Sequence, residues 1–280
     1  MITISSNQAS LSAQRSLGMT QKALEGNLGR LSTGLRINTA ADDAAGLAIS
    51  ERLKAQTRSL SQAERNANDG VSLLQTAEGA MSGVSDILGR MRELSVQSAN
   101  GTLGATERGF LQGELASLRD EIDRISSVTE FNGASLLSGG AAGTTFAFQV
   151  GIGATASDQI SVTIGGTAAA DLGGGATGLD ALDISTAGGA TSALSIIDQA
   201  ITDVSSRRAD LGAVQSRLNV TISNLGSARE NLSAANSRIR DVDVASETAD
   251  MTKHNILMQA GVSVLAQANQ MPQVALKLLG

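Results

Sequence analysis

A strict repeat of aliphatic residues, one in every seven, runs through the C-terminal part of the chain. The repeat consists of Ile197, Val204, Leu211, Leu218, Leu225, Leu232 and Ile239. Such a repeat lines up one apolar seam along a helix, and two seams of this kind pack together as a coiled coil. At 1.5 Å per residue it predicts a helix of about 65 Å. That is longer than a compact domain is wide, so the seam needs partner helices along its length.

Three stretches in the first half of the chain carry matching seams. Their apolar residues are Leu17, Leu24, Leu28, Leu31 and Leu35; Leu74, Ala77, Met81, Val84, Leu88 and Met91; and Leu111, Leu115, Leu118, Ile122 and Ile125. Steps of three, four and seven predict amphipathic helices. Because both ends share this pattern and the middle lacks it, we predict a mainly α fold. It would be an elongated antiparallel coiled-coil helical rod built from both termini, with a small β-rich distal insertion.

The middle of the chain has a different pattern, rich in glycine and alternating in polarity. Phe146, Phe148 and Val150, and then Ile160, Val162 and Ile164, alternate with other residues. This alternation predicts two short strands joined as a hairpin. We therefore expect three domains: residues 1–39 with 241–280, residues 40–137 with 192–240, and a surface insertion at 138–191. Since the insertion holds no heptad, replacing Gly143 to Gly189 with a short Gly/Ser link is expected to leave association through the helical seams intact.

Local signals place some helix ends. Gly34 predicts a helix stop. Thr39 and Asp42 predict a capping box that opens the next helix, with Asp43 adding favourable charge in its first turn. Asn100-Gly101 predicts the end of that second helix.

The two termini are unusually poor in charge. From Met1 to Gln21 the only charged residue is Arg15, and from Asn255 to Gly280 it is Lys277. Amphipathic segments with so little charge are poorly solvated as isolated surface helices, so we expect copies of the chain to bury them. The predicted assembly seam consists of Leu24, Leu31, Leu211, Leu218, Leu225, Leu232, Leu257, Val264, Met271 and Leu278.

Composition argues against catalytic and metal-binding classes. The chain has no Cys and a single His, so thiol nucleophiles and thiolate metal sites are excluded. The acidic pairs Asp42-Asp43 and Asp241-x-Asp243 are better interpreted as helix caps than as metal ligands. His254 has no evident nucleophile or orienting carboxylate. We expect no enzyme activity, no metal and no cofactor.

Charge placement argues against nucleic acid. Residues 125–206 contain seven acids and no Lys or Arg, which leaves 20 acids against 21 bases elsewhere. A nucleic-acid binder needs a basic face, and we find none. No apolar run is long enough to span a membrane. The first residues lack both a basic and an apolar signal region, so we expect export without a cleaved signal peptide.

Three segments resemble the signature segments of bacterial flagellin. They are Leu31–Ser50, Arg92–Gly101 and Ser263–Pro272. The resemblance implies a subunit of the extracellular flagellar filament, a helical homopolymer used for motility and supplied by type III export. It also implies an export chaperone at the C-terminal segment, and filament cap and hook-junction proteins as partners. The alternative within the same family is a hook-filament junction protein. A helical secreted effector or enzyme is a third hypothesis, disfavoured by the missing catalytic constellation.

The resemblance also implies recognition by the host Toll-like flagellin receptor. The matching residues are Arg90 and Leu94, one helical turn apart, and Glu114 on the following helix. Leu94 has an alternative interpretation as part of the core stripe that contains Met91. Gly89 departs from the polar residue common just before this Arg.

Overall fold

The computed structural model describes residues 7–140, 142–174 and 178–279, with side chains in the last helix up to Met271. The described residues form five α-helices: α1 (Gln8–Thr33), α2 (Ala44–Ala99), α3 (Ala105–Val128), α4 (Ala187–Arg240) and α5 (Val244–Leu279). They also form four short strands: β1 (Glu130–Phe131), β2 (Ala134–Ser135), β3 (Thr144–Gln149) and β4 (Gln159–Ile164). The predicted mainly α fold with a small β region is confirmed.

The helix ends follow local chemistry. Gly34 ends α1 in the left-handed conformation, with φ of 72° and its N–H donated to the Arg30 carbonyl at 2.9 Å, as predicted. The start of α2 corrects the predicted capping box. Asp43 accepts the N–H of Gly46 at 2.8 Å and is the capping residue. Asp42 instead closes the preceding turn by accepting from Thr39.

The predicted seams of α2 and α4 form the centre of the core. The residues with at most 1% exposure include Leu74, Ala77, Met81, Val84, Leu88 and Met91 on α2, and Ile197, Val204, Leu211 and Leu218 on α4. Ion pairs flank this seam, joining Glu64 to Arg229 at 2.7 Å and Arg92 to Asp198 at 2.7 Å. Because these partners run in opposite chain directions, the two helices are antiparallel, as a folded-back chain requires.

Both β regions are antiparallel hairpins. β1 and β2 are joined by Asn132 and Gly133, with φ of 52° and 78°. Positive φ at both residues is the type I′ geometry that Asn-Gly favours. β3 and β4 pair from Thr144 opposite Ile164 to Gln149 opposite Gln159. The predicted hairpin is confirmed.

Much of the middle segment, which we expected to lie on the surface, is buried. Its buried apolar residues are Val150, Ile160, Val162, Ile164, Ala169, Leu172, Leu179, Leu182 and Ile184, which belong to the same hydrophobic cluster as the α2 and α4 seams. Phe148 packs over Gly70, where a Cβ would lie 3.1 Å from its ring. Gln112 of α3 donates to the Leu182 carbonyl and accepts from the Ile184 N–H. The segment completes the hydrophobic core that it shares with α2 and α4.

The chain forms two compact units, and their boundaries differ from those of the three expected domains. One unit comprises the described residues up to Thr57 together with those from Glu230 onward, and the other is Arg58–Arg229. The division falls inside α2 and α4, not in loops. Residues 138–191 do not separate from the second unit.

The β3–β4 loop provides a pH-dependent contribution to stability. Hydrogen bonds from the Thr155 hydroxyl, the Thr155 N–H and the Gly153 N–H hold the pKa of Asp158 below its ordinary value of 3.8. A depressed pKa stabilises the fold above the unfolded pKa, and the contribution is lost as pH falls through the lower folded value. We expect amide protection in β3 and β4 to fall as the pH is lowered below about 4. Hydrogen exchange of wild type and Asp158→Asn measures this; an equal pH dependence in both would contradict it.

Candidate assembly surface

Helices α1 and α5 pack side by side, and polar bonds fix their register. The Asn7 amide donates to the Ala268 carbonyl at 2.8 Å, and the Ser10 hydroxyl donates to Asn269 at 2.8 Å. Further along, Arg30 pairs with Glu247 at 2.7 Å. Residues early in α1 thus meet residues late in α5, so the pair is antiparallel.

The Arg30–Glu247 pair is the most enclosed ion pair at this contact. The two side chains are 30% and 13% exposed. The bond to Glu247 raises the pKa of Arg30 above its ordinary value, so the guanidinium stays charged. Arg30 also donates to Asn27 at 2.8 Å. Removing either partner would leave a half-buried charge, which destabilises more than breaking an exposed pair.

The structure revises which α1 residues form the intramolecular contact. Leu24 is buried and Leu31 is half-buried, but Leu28 is 51% exposed and Asn27 is 3% exposed. The contact face therefore follows the three-four spacing through Asn27 rather than Leu28. An apolar count of the sequence could not select a polar residue here.

One flank of α1 and α5 forms an open apolar groove of about 480 Å³. It is lined by Ala9, Ser12, Ala13, Ser16, Leu17, Thr20, Leu257, Ala260, Gly261 and Val264. Small side chains let another helix approach closely. Gly261 serves the packing within the chain, because a Cβ there would lie 3.2 Å from Leu17 of α1. The small residues of α1 that line this groove were not among the predicted assembly residues. Their spacing of three and four was the available signal.

The predicted assembly residues of α5 are exposed within this chain. Leu257 is 46% exposed, Val264 54% and Met271 62%. They recur every seven residues along one side of α5, which we call the α5 stripe. The side chain of Leu278, the next position in this repeat, lies outside the described residues. Ile256, Val262, Leu11 and Met19 are also exposed, so much apolar surface on α1 and α5 has no intramolecular partner.

The other predicted assembly residues serve the chain itself. Leu211 and Leu218 are at most 1% exposed, Leu225 is 8% exposed and Leu232 is half-buried. A side chain enclosed in its own fold has no surface to offer a second copy. These leucines therefore stabilise the subunit, whereas the α5 stripe remains free to contact another one.

The predicted receptor residues are split between surface and core. The Arg90 guanidinium contacts Glu114 at 2.8 Å and Glu93 at 2.9 Å, and the Arg90 and Glu114 side chains are about half exposed. Leu94, by contrast, is 1% exposed and belongs to the hydrophobic core. The alternative interpretation of Leu94 as a core residue matches its position, because a buried side chain cannot contact a receptor.

One member of each acidic pair, Asp43 and Asp243, caps a helix start. Asp43 caps α2, and Asp243 accepts the N–H of Ala245 at 3.0 Å at the start of α5. Among the described residues, no group of three or more potential metal-ligating side chains comes together. None of the described helices combines the length and hydropathy needed to cross a bilayer.

Comparison with known proteins covers nearly the whole chain. The bacterial flagellin N-terminal helical region matches residues 4–142, and the bacterial flagellin C-terminal helical region matches residues 194–279. The flagellar filament 33 kDa core protein of Treponema phagedenis is 44% identical over 99% of both chains. The flagellin of Bacillus subtilis is 46% identical over 99% of both chains.

A solved structure supports the fold. The putative flagellar hook-associated protein from Vibrio parahaemolyticus is 20% identical, with a TM-score of 0.61, and the match covers 71% of this chain and all of that one. At this identity the likeness concerns the fold alone. The matched regions at both ends and the relatives at over 40% identity show that the chain belongs to the bacterial flagellins, a family of structural, non-enzymatic proteins.

Proposed function

We propose that this chain is the repeating subunit of a bacterial flagellar filament and that the α5 stripe, with the groove beside it, forms a subunit contact. The observation that carries the proposal is the exposure of Leu257, Val264 and Met271 on a helix whose adjacent face is already packed against α1. A contiguous exposed apolar surface marks an interaction site. The occupant is a helix of a second copy, since relatives over 40% identical are named as filament proteins.

Identical subunits joined by such a contact form an open helical polymer when the contact is head-to-tail and does not close. Leu257 and Val264 belong both to the stripe and to the lining of the groove, so the two features form one continuous apolar surface. Burial of this apolar surface, which stabilises by about 25 cal/mol per Å², would then drive association. We expect the filament to lie outside the cell as part of the flagellum.

The hook-filament junction alternative has less support. The relatives at over 40% identity carry the names flagellin and flagellar filament core protein, and they match over 99% of their length. The hook-associated structure supports only the fold.

Val264→Asp tests the stripe. Because Val264 is 54% exposed, the variant monomer should keep its helical content and its unfolding midpoint. Placing a carboxylate in a subunit contact should slow seeded elongation at least about tenfold, equivalent to roughly 1.4 kcal/mol. Gln259→Asp is the control, since it adds the same charge five residues away on another face of α5. Elongation at the wild-type rate by a folded Val264→Asp protein would refute the proposed contact.

Other partners follow from the same surface. The exposed apolar residues of α5 need cover before assembly, and an export chaperone that holds the C-terminal segment would supply it. Cap and hook-junction proteins would contact the same α1 and α5 surface at the filament ends, where a subunit neighbour is missing. Export by a type III apparatus completes this proposal.

A host receptor contact is proposed on α2 and α3 in a reduced form. The exposed Arg90–Glu114 pair is its polar centre, and Leu94 supports the helix from inside. We expect Arg90→Ala to lower the potency of soluble monomer on the Toll-like flagellin receptor at least about tenfold, the loss typical of an Arg anchor. Arg92→Ala, which removes another exposed ion pair on α2, is the control. Full potency of a folded Arg90→Ala protein would place the contact elsewhere.

A further inference from the structure

Methionine is the readily oxidised side chain of this protein. The sequence has seven Met and no Cys, Trp or Tyr. A mild two-electron oxidant such as a peroxide therefore finds thioether sulfur as its main target. Which methionines react depends on the access of the oxidant to the sulfur atom.

The structure sorts the described methionines into three levels of access. Met81 and Met91 are fully buried in the core. Met251 and Met258 are partly buried. Met19 on α1 and Met271 on α5 are 60% and 62% exposed. A peroxide in solution reaches the last two without any opening of the fold.

Met271 occupies a position in the proposed subunit contact. It continues the seven-residue repeat of Leu257 and Val264 along the α5 stripe. Met19 lies in the α1 segment that pairs with α5, and it too has an unpartnered apolar side chain. An unbranched thioether suits an apolar contact between helices, whereas a sulfoxide does not, because it carries a strong acceptor oxygen that must be desolvated.

We propose that Met271 and Met19 are two separate peroxide-sensitive modification sites whose oxidation blocks polymerisation of the free subunit. The inference rests on the proposed function. The sulfur lone pair of each Met attacks one peroxide oxygen, so an S–O bond forms as the O–O bond breaks. The departing oxygen takes the proton left on the transferred one and leaves as water when the oxidant is hydrogen peroxide. Sulfur loses two electrons and the peroxide gains them.

Assembly then decides whether the Met271 site is open. In the free chain both sulfurs face solvent, whereas a neighbouring subunit on the α5 stripe would cover Met271. The subunit is thus sensitive before incorporation and protected afterwards. A sulfoxide reductase reverses the change, because methionine sulfoxide is reducible to the thioether.

The test treats monomer with hydrogen peroxide, maps sulfoxide by peptide mass spectrometry and then measures seeded elongation. We expect sulfoxide first at Met19 and Met271 and none at Met81 or Met91. Treated wild type should elongate at least about tenfold more slowly. Sulfoxide reductase should restore the rate. The same dose applied to assembled filaments should leave Met271 unoxidised.

The double variant Met19→Leu with Met271→Leu is the matched control. Leu keeps an apolar side chain of similar volume and removes the sulfur, so the treated double variant should elongate at its untreated rate. Equal inhibition of this variant, or unchanged elongation by wild type with full sulfoxide at both positions, would overturn the proposal. Failure of untreated wild type to elongate at all would instead refute the proposed function.

Discussion

Replacing Leu218 with Asp will unfold the Arg58–Arg229 unit and abolish filament formation. Leu218 is fully buried on the α4 seam, with its side chain 3.3 Å from where a Cβ on Gly70 would lie. A carboxylate at this buried position would lose its hydration. We expect a loss of about 4 kcal/mol or more in the free energy of unfolding. That is a large share of a typical domain's stability. Urea unfolding monitored by circular dichroism measures it.

Two further variants separate charge from packing at this position. Leu218→Ala should lose about 2–5 kcal/mol through a cavity alone, and so remains measurable if the Asp variant does not fold. Asn219→Asp adds a carboxylate to the neighbouring exposed position and should change stability by at most about 0.5 kcal/mol. Wild-type stability of Leu218→Asp would mean that α4 does not pack through this seam.

Deleting Gly143 to Gly189 will also prevent folding of this unit, contrary to the expectation from the sequence. The deleted segment contributes the β3–β4 hairpin and the buried residues Leu172, Leu179 and Ile184 to the core. Each fully buried aliphatic side chain stabilises the fold by about 1.5–3 kcal/mol. Their combined loss is on the order of 10 kcal/mol, comparable with the whole stability of a domain. Loss of cooperative unfolding and of filaments is the expected result.

Point variants within the segment make the same test without deletion. Leu172→Ala should destabilise by about 2–5 kcal/mol, since Leu172 is fully buried. Ile152→Ala, in the same segment but 46% exposed, should change stability by at most about 0.5 kcal/mol. A deleted protein that unfolds cooperatively with wild-type stability would show that the segment is dispensable for the core.

The helical part of the fold was predictable because its signal is periodic. The seams through Met81 on α2 and Leu211 on α4 are fixed by spacing alone, and burial follows from the pairing of two apolar faces. Burial of the middle segment was not predictable in the same way. Its apolar residues lie in short stretches between glycines, and nothing in their spacing tells whether they cover a helix surface or stand apart from it.

The candidate site was also predictable only in part. An apolar residue at a heptad position can face either its own chain or another one, and spacing does not distinguish Leu218 from Val264. The exposed fraction of each side chain does distinguish these two residues. It is known only once the structure shows which helix covers which face. The same applies to Leu94. It lies one helical turn from Arg90, as the spacing predicts, but whether its side chain faces solvent or the core depends on where the core lies.

The contact between α1 and α5 has a consequence for the order of events when the protein is made and moved. The bond between Asn7 and Ala268 spans 261 positions of sequence. Loop closure over such a separation is entropically unfavourable and slow compared with local helix formation. On the export route proposed above, a chain that leaves the cell one end first would have no partner segment for its leading terminus. The α1/α5 pair would then close only after the trailing terminus has emerged, so the arrival of the last residues would set the time at which the subunit is complete.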